Sequence, residues 1–149
     1  MSLEVNIMSQ MKEAMKAKNT IALEALRAIK SELLLAKTSG ASEGLTESQE
    51  IALLQKLVKQ RKEAAEQFKA NARHELEEKE LAQAEVIMQF LPKQLSAEEL
   101  EAVIKEIIAE VGATSAKDMG KVMGAASAKL AGKAEGKLIS EKVKDLLNK

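Results

Sequence analysis

"TESQEIALLQKLVKQRKEAAEQFKA", residues 46–70, decides the fold class. Ile51, Leu54, Val58, Arg61, Ala65 and Phe68 recur at spacings of three and four, the period of one face of an α-helix. Only Arg61 interrupts the apolar stripe. Thr46, with Gln49 three residues later, supplies a capping box that starts the helix. The rest of the composition agrees. Of 149 residues 46% are apolar and 31% charged, the mixture of a folded, soluble chain. Ala, Leu, Glu and Lys dominate, while the aromatic residues are Phe68 and Phe90 alone and there is one proline, Pro92. This bias favours helices and starves sheets, so an all-α fold is expected.

Upstream, "KTSGASEGLT" at 37–46 carries two glycines and four hydroxyl residues and reads as an exposed loop. Before it, Leu3, Ile7, Met8, Met11 and Met15 mark a first helix from Leu3 to about Ala17, and Ala22, Leu26, Ile29, Leu33 and Ala36 mark a second. Downstream, "NAR" at 71–73 marks a bend, and Leu76, Glu80, Ile87 and Leu91 define a fourth helix ending before Pro92. Glu80 falls on an apolar stripe, as Arg61 does. A structural ion pair from Arg61 or Arg73 to Glu80 is therefore expected to anchor the third helix to the fourth.

Pro92 is the best boundary in the chain and separates an N-terminal helical domain, 1–91, from a C-terminal domain, 92–149. Ser96 and Glu99 form a second capping box, and Leu100, Val103, Ile104, Ile107 and Ile108 face inward as far as Val111, with Gly112 as C-cap. A sixth helix after Ser115 carries Met119, Val122, Met123, Ala126 and Leu130 and stops at Gly132. The seventh carries Leu138, Ile139, Val143, Leu146 and Leu147. The expected architecture is a four-helix part followed by a small three-helix domain.

Several function classes are excluded by residue type. The chain has no cysteine, hence no disulfide, thiol nucleophile or thiolate metal site. No apolar run approaches the roughly 20 residues that span a bilayer, and "MSLEVNIMSQ" lacks the basic start of a secretion signal. A cytoplasmic protein with no membrane partner is expected. "GKAEGKL" has three residues where a phosphate-binding P-loop needs four, and leucine where serine or threonine should follow. His74 is the sole histidine and has no serine or cysteine partner to make a triad. The acids of "HELEEKE" point in different directions around a helix and make a solvated face rather than a metal site. No catalytic residue, metal or cofactor is expected.

The 23 basic and 23 acidic side chains cancel, but not locally. Residues 92–116 hold two lysines against five glutamates, whereas residues 117–137 hold Lys117, Lys121, Lys129, Lys133 and Lys137 against Asp118 and Glu135. The cationic segment also holds Gly120 and Gly124, four apart on one helix face, with Ala128 continuing the stripe. Each interior glycine weakens a helix by roughly 1 kcal/mol relative to alanine. Close approach of another helix would offset that, and so would close approach of an RNA backbone beside Lys121, with Lys133 and Lys137 in the next turn. Lacking aromatics to stack on splayed bases, such a surface would meet folded RNA through phosphates and shape.

"RKEAAEQFKANARHELEEKELAQAEVIMQFLPKQLSAEEL" and "DMGKVMGAASAKLAGKAEGKLISEKVKDLL" together resemble the GatB/YqeY family, in its free-standing YqeY-like form. The resemblance rests on Arg61, Phe68, Arg73, Leu76, Glu80, Leu91-Pro92, the string Asp118 to Met123 and the turn from Gly132 to Gly136. Departures at Gln83, Phe90 and Glu135 are mild. The resemblance implies a non-catalytic, tRNA-binding or tRNA-associated module. Similar segments form the C-terminal region of the B subunit of tRNA-dependent amidotransferases, which amidate Glu-tRNA(Gln) or Asp-tRNA(Asn). The implied RNA contacts are Gly120, Lys121, Gly124, Lys129, Lys133, Gly136 and Lys137, and the implied partner is tRNA, bound weakly by this chain alone. Two alternatives are an accessory component of a glutamine-dependent carbon-nitrogen ligase acting in trans, with amidotransferase subunits or an aminoacyl-tRNA synthetase as partners, and a helical protein-interaction adaptor.

Overall fold

A computed structural model describes residues 2–40 and 44–148. The expected loop at 37–46 is partly outside them, since residues 41–43 are not described. Among the described residues the chain is all-helical, with seven α-helices, one short 3-10 helix and no strand. It divides into two compact units, residues 1–91 and 92–149.

The first unit contains α1 (Leu3–Lys16), α2 (Thr20–Thr38), α3 (Glu47–Ala70) and α4 (His74–Met88). Side-chain caps fix where the first three begin: Ser2 accepts from the Val5 N–H, Asn19 from Ala22, and Thr46 from Gln49. The Gln49 side chain completes the capping box by accepting from the Thr46 N–H at 2.9 Å. Leu3, Ile7, Leu26, Ile29, Leu54, Val58 and Ile87 meet in one apolar cluster. Each fully buried aliphatic side chain contributes about 1.5–3 kcal/mol relative to exposure.

Two details of this unit differ from the sequence reading. Met8 and Met15, expected on the core stripe of the first helix, are exposed, whereas Ala14 is buried. Residues advance by about 100° on an α-helix, so each methionine lies one step round from a buried neighbour, Ile7 or Ala14. The bend at 71–73 turns on Ala72, which takes a left-handed φ of 56° that glycine would adopt at lower cost.

Polar contacts tie α4 to its neighbours. Gln83 is buried and its amide donates to Glu24 on α2 at 2.8 Å, while Lys79 approaches the same carboxylate oxygen at 3.4 Å. The glutamine is thereby satisfied inside the packing. Between α3 and α4, Arg61 Nε lies 3.8 Å from Glu80 Oε2, with side chains 25% and 22% exposed. That separation is beyond hydrogen-bond reach, so the attraction is Coulombic and strengthened by partial removal from water. Arg73 stands apart, as the exposed N-cap of α4.

The second unit contains α5 (Ala97–Val111), the 3-10 helix Ala116–Asp118, α6 (Met119–Lys129) and α7 (Gly136–Leu147). Ser96 and Glu99 form a reciprocal capping box at 3.1 Å each way, and Gly112 closes α5 in the left-handed conformation, φ 68°. Leu100, Ile104, Ile107, Val122, Ala126, Leu130, Ile139, Val143 and Leu147 make its core. Leu138, expected among them, is exposed one residue before the buried Ile139.

Replacing Glu80 with alanine strands a half-buried guanidinium, and the expected loss is about 1–3 kcal/mol in denaturant unfolding. An unchanged midpoint would show that the pair does not anchor α3 to α4.

Candidate nucleic-acid interface

The core of the second unit takes one stripe of α6, Val122 and Ala126, continued by Leu130. Gly120 and Gly124 lie two residues before these, about 200° round the helix, and therefore on the opposite side. Both are exposed. A methyl group added at either would meet no atom of the described residues of this unit within 4 Å. Among the described residues of this unit no packing requires a glycine at these two places, and their φ angles are not left-handed. What they leave is a bare strip of helix backbone, continued by the exposed Ala128.

The lysines divide by environment. Lys117 and Lys121 are exposed near the first turn of α6. Lys129, at its last turn, places Nζ 3.9 Å from both Glu106 and Glu110 of α5. These exposed pairs add little stability, but two carboxylates around one ammonium weaken its pull on a phosphate. Lys133 is exposed in the turn after α6, and Gly136 and Lys137 are exposed in the first turn of α7. An added methyl at Gly136 would also meet nothing.

The turn that presents Lys133 is held from the segment preceding α5. The Leu95 N–H donates to the Lys133 carbonyl at 2.9 Å. The Gln94 amide donates to the carbonyls of Gly132, at 2.6 Å, and Pro92, at 2.9 Å. Gly132 is buried there with a left-handed φ of 77°, which explains a glycine at that turn. Gln94 went unnoticed in the sequence because nothing local marks a side chain that reaches 38 residues ahead.

At the other end of α6, Asp118 accepts from the Thr114 N–H at 2.9 Å and closes the loop leading into the helix. That backbone N–H holds its carboxyl below the ordinary range, helped by the Ser115 N–H and the Lys121 charge and opposed by partial desolvation. The 3-10 helix ending at Asp118 then leads directly into Met119, Gly120 and Lys121.

His74 is exposed, with Nδ1 3.4 Å from Glu77. Among the described residues no three His, Asp or Glu side chains are grouped to hold a metal ion, and no helix is long and apolar enough to cross a membrane.

Fold and surface together define an all-helical protein that presents an uncovered glycine face flanked by lysines. Over residues 4–147 the chain matches the family described as Yqey-like protein. It belongs to that family. No curated protein matches it.

Two experiments test this geometry. Alanine at both Gly120 and Gly124 should stabilise the protein by roughly 1 kcal/mol per site, because the helix gains propensity and nothing clashes; a lower denaturation midpoint would mean that the glycine face is covered. The depressed carboxyl of Asp118 contributes stability that is fully present above its unfolded value near pH 4 and is lost as pH falls through its lower folded value. The gap in Tm between the native chain and Asp118→Asn should therefore shrink below about pH 4.

Proposed function

We propose that this chain is a non-catalytic tRNA-binding or tRNA-associated module, with Gly120, Lys121, Gly124, Lys133, Gly136 and Lys137 as its contact surface. The observation that carries the reading is the uncovered pair Gly120 and Gly124, which weakens α6 with no compensating contact among the described residues of its own unit. A helix face without side chains lets a bulky ligand backbone come close, and lysines at its border neutralise phosphates. Membership in the Yqey-like family, together with the resemblance to the tail of the amidotransferase B subunit, supports tRNA as the ligand.

The chemistry limits the strength of binding. Lys121, Lys133 and Lys137 offer three phosphate contacts, and Lys129 is held toward α5 by its two glutamates. Neither phenylalanine lies in the helices of this surface, so contact would be with phosphates and folded shape rather than stacked bases.

Binding of the full chain to total tRNA across a salt series tests the proposal. Log affinity should fall linearly against log salt with a slope of about −2 to −3, as three neutralised phosphates require. Changing Lys121, Lys133 and Lys137 together to glutamate should lower affinity by more than about tenfold at low salt. No binding at low salt, or equal binding by the variant, would overturn the reading and direct attention to a protein partner.

A further inference from the structure

The segment that enters the second unit makes polar contacts that its own helix does not need. Residues 92–95 precede α5, whose start is already fixed by the capping box of Ser96 and Glu99. Gln94 nevertheless reaches the turn between α6 and α7, 38 residues ahead, where its amide Nε2 donates to the Gly132 carbonyl at 2.6 Å. The same nitrogen donates to the Pro92 carbonyl at 2.9 Å. Both partners are carbonyl oxygens, which only accept, so the group facing them is the NH2 and both of its hydrogens are engaged. One residue on, the Leu95 N–H donates to the Lys133 carbonyl at 2.9 Å.

These bonds converge on one exposed cation. Lys133 stands between the buried Gly132 and Ala134, and its own N–H donates to the Leu130 carbonyl at 2.9 Å. Its backbone is therefore bonded on both sides while the residue itself stays exposed. A lysine side chain turns freely about its four carbons, so what a fold can set is where the chain begins. Gln94 and Leu95 set that point for Lys133, four residues before Lys137 in the first turn of α7. Packing alone already closes this turn, since Leu130 and Ala134 are buried at either end of it. The amide adds orientation to a turn that the core holds in place.

We infer that Gln94 is a positioning residue for tRNA binding: its amide fixes the turn at Gly132 so that Lys133 meets a phosphate alongside Lys137. This rests on the tRNA reading of the glycine and lysine surface. Gln94 acts through the turn and contributes no phosphate contact of its own.

The test is binding of the full chain to total tRNA across a salt series, for the native protein, Gln94→Met, Lys133→Ala and the double variant. Methionine keeps the length of glutamine, lacks the donor and adds no charge. Gln94→Met should weaken binding at low salt by at least about threefold and reduce the magnitude of the salt slope by about one, as the loss of one phosphate contact does. Lys133→Ala should do the same. The double variant should bind no more weakly than Lys133→Ala alone, because both changes remove one and the same contact. Amide hydrogen exchange without RNA gives a second readout: Leu95 and Lys133 should exchange faster in Gln94→Met, with Ile104, Val122 and Val143 unchanged. Should Gln94→Met fail to fold, Gln94→Asn replaces it, with an amide one methylene too short to reach both carbonyls and the same outcomes expected. Unchanged exchange at Leu95 and Lys133, unchanged affinity and slope in Gln94→Met, or additive losses in the double variant would each overturn the positioning role while leaving the tRNA reading in place. A native chain that binds no tRNA overturns both.

Discussion

Burial of aliphatic stripes is the constraint on which everything else in this protein rests. With only two phenylalanines and no tryptophan or tyrosine, no single side chain can fill much of an interior. Each helix must instead repeat leucine, isoleucine, valine and alanine at every turn, and pack them closely enough for many small contacts to add up. The second unit reaches a fully buried Ile104, Val122 and Val143 within 58 residues in this way. Since one face of each helix is committed to the core, the composition of the remaining faces is free to serve something else.

Most of that commitment is legible in the sequence. The stripe from Ile51 to Phe68 and the caps at Thr46 and Ser96 are local patterns set by helical periodicity and by the need to satisfy orphan amide groups. Where the reading slipped, two adjacent faces were both apolar, and periodicity does not say which one turns inward. Met8 and Leu138 each stand one residue from a buried position that the same stripe includes, and Met15 stands beside the buried Ala14, which the stripe passes over. Ala72 was invisible for a different reason, as alanine gives no sign of a left-handed conformation that the surrounding chain imposes.

The candidate interface was half legible. Glycines four apart beside lysines could be seen in the string from Asp118 to Lys137, but spacing alone left open whether a neighbouring helix or a ligand needed them. The emptiness around Gly120 and Gly124 removes the first explanation among the described residues of their own unit. Lys129 illustrates the opposite limit, since its place in the cationic run carries no hint of Glu106 and Glu110 across the gap to α5. A helix that gives up stability at two exposed positions is the kind of local inconsistency expected where function rather than folding selects the residue.

The emptiness of that face also bears on motion. Side chains normally shade the amide groups of a helix from water, and hydrogen bonds left unshaded open and reclose more readily. On α6 the shade is missing over two turns of one side, whereas Val122 and Ala126 hold the other. Backbone amides around Gly120 and Gly124 should consequently trade their hydrogens with solvent faster than those of α5 or α7. A ligand lying along the strip would slow that exchange by excluding water, so the helix would gain order at the moment of contact.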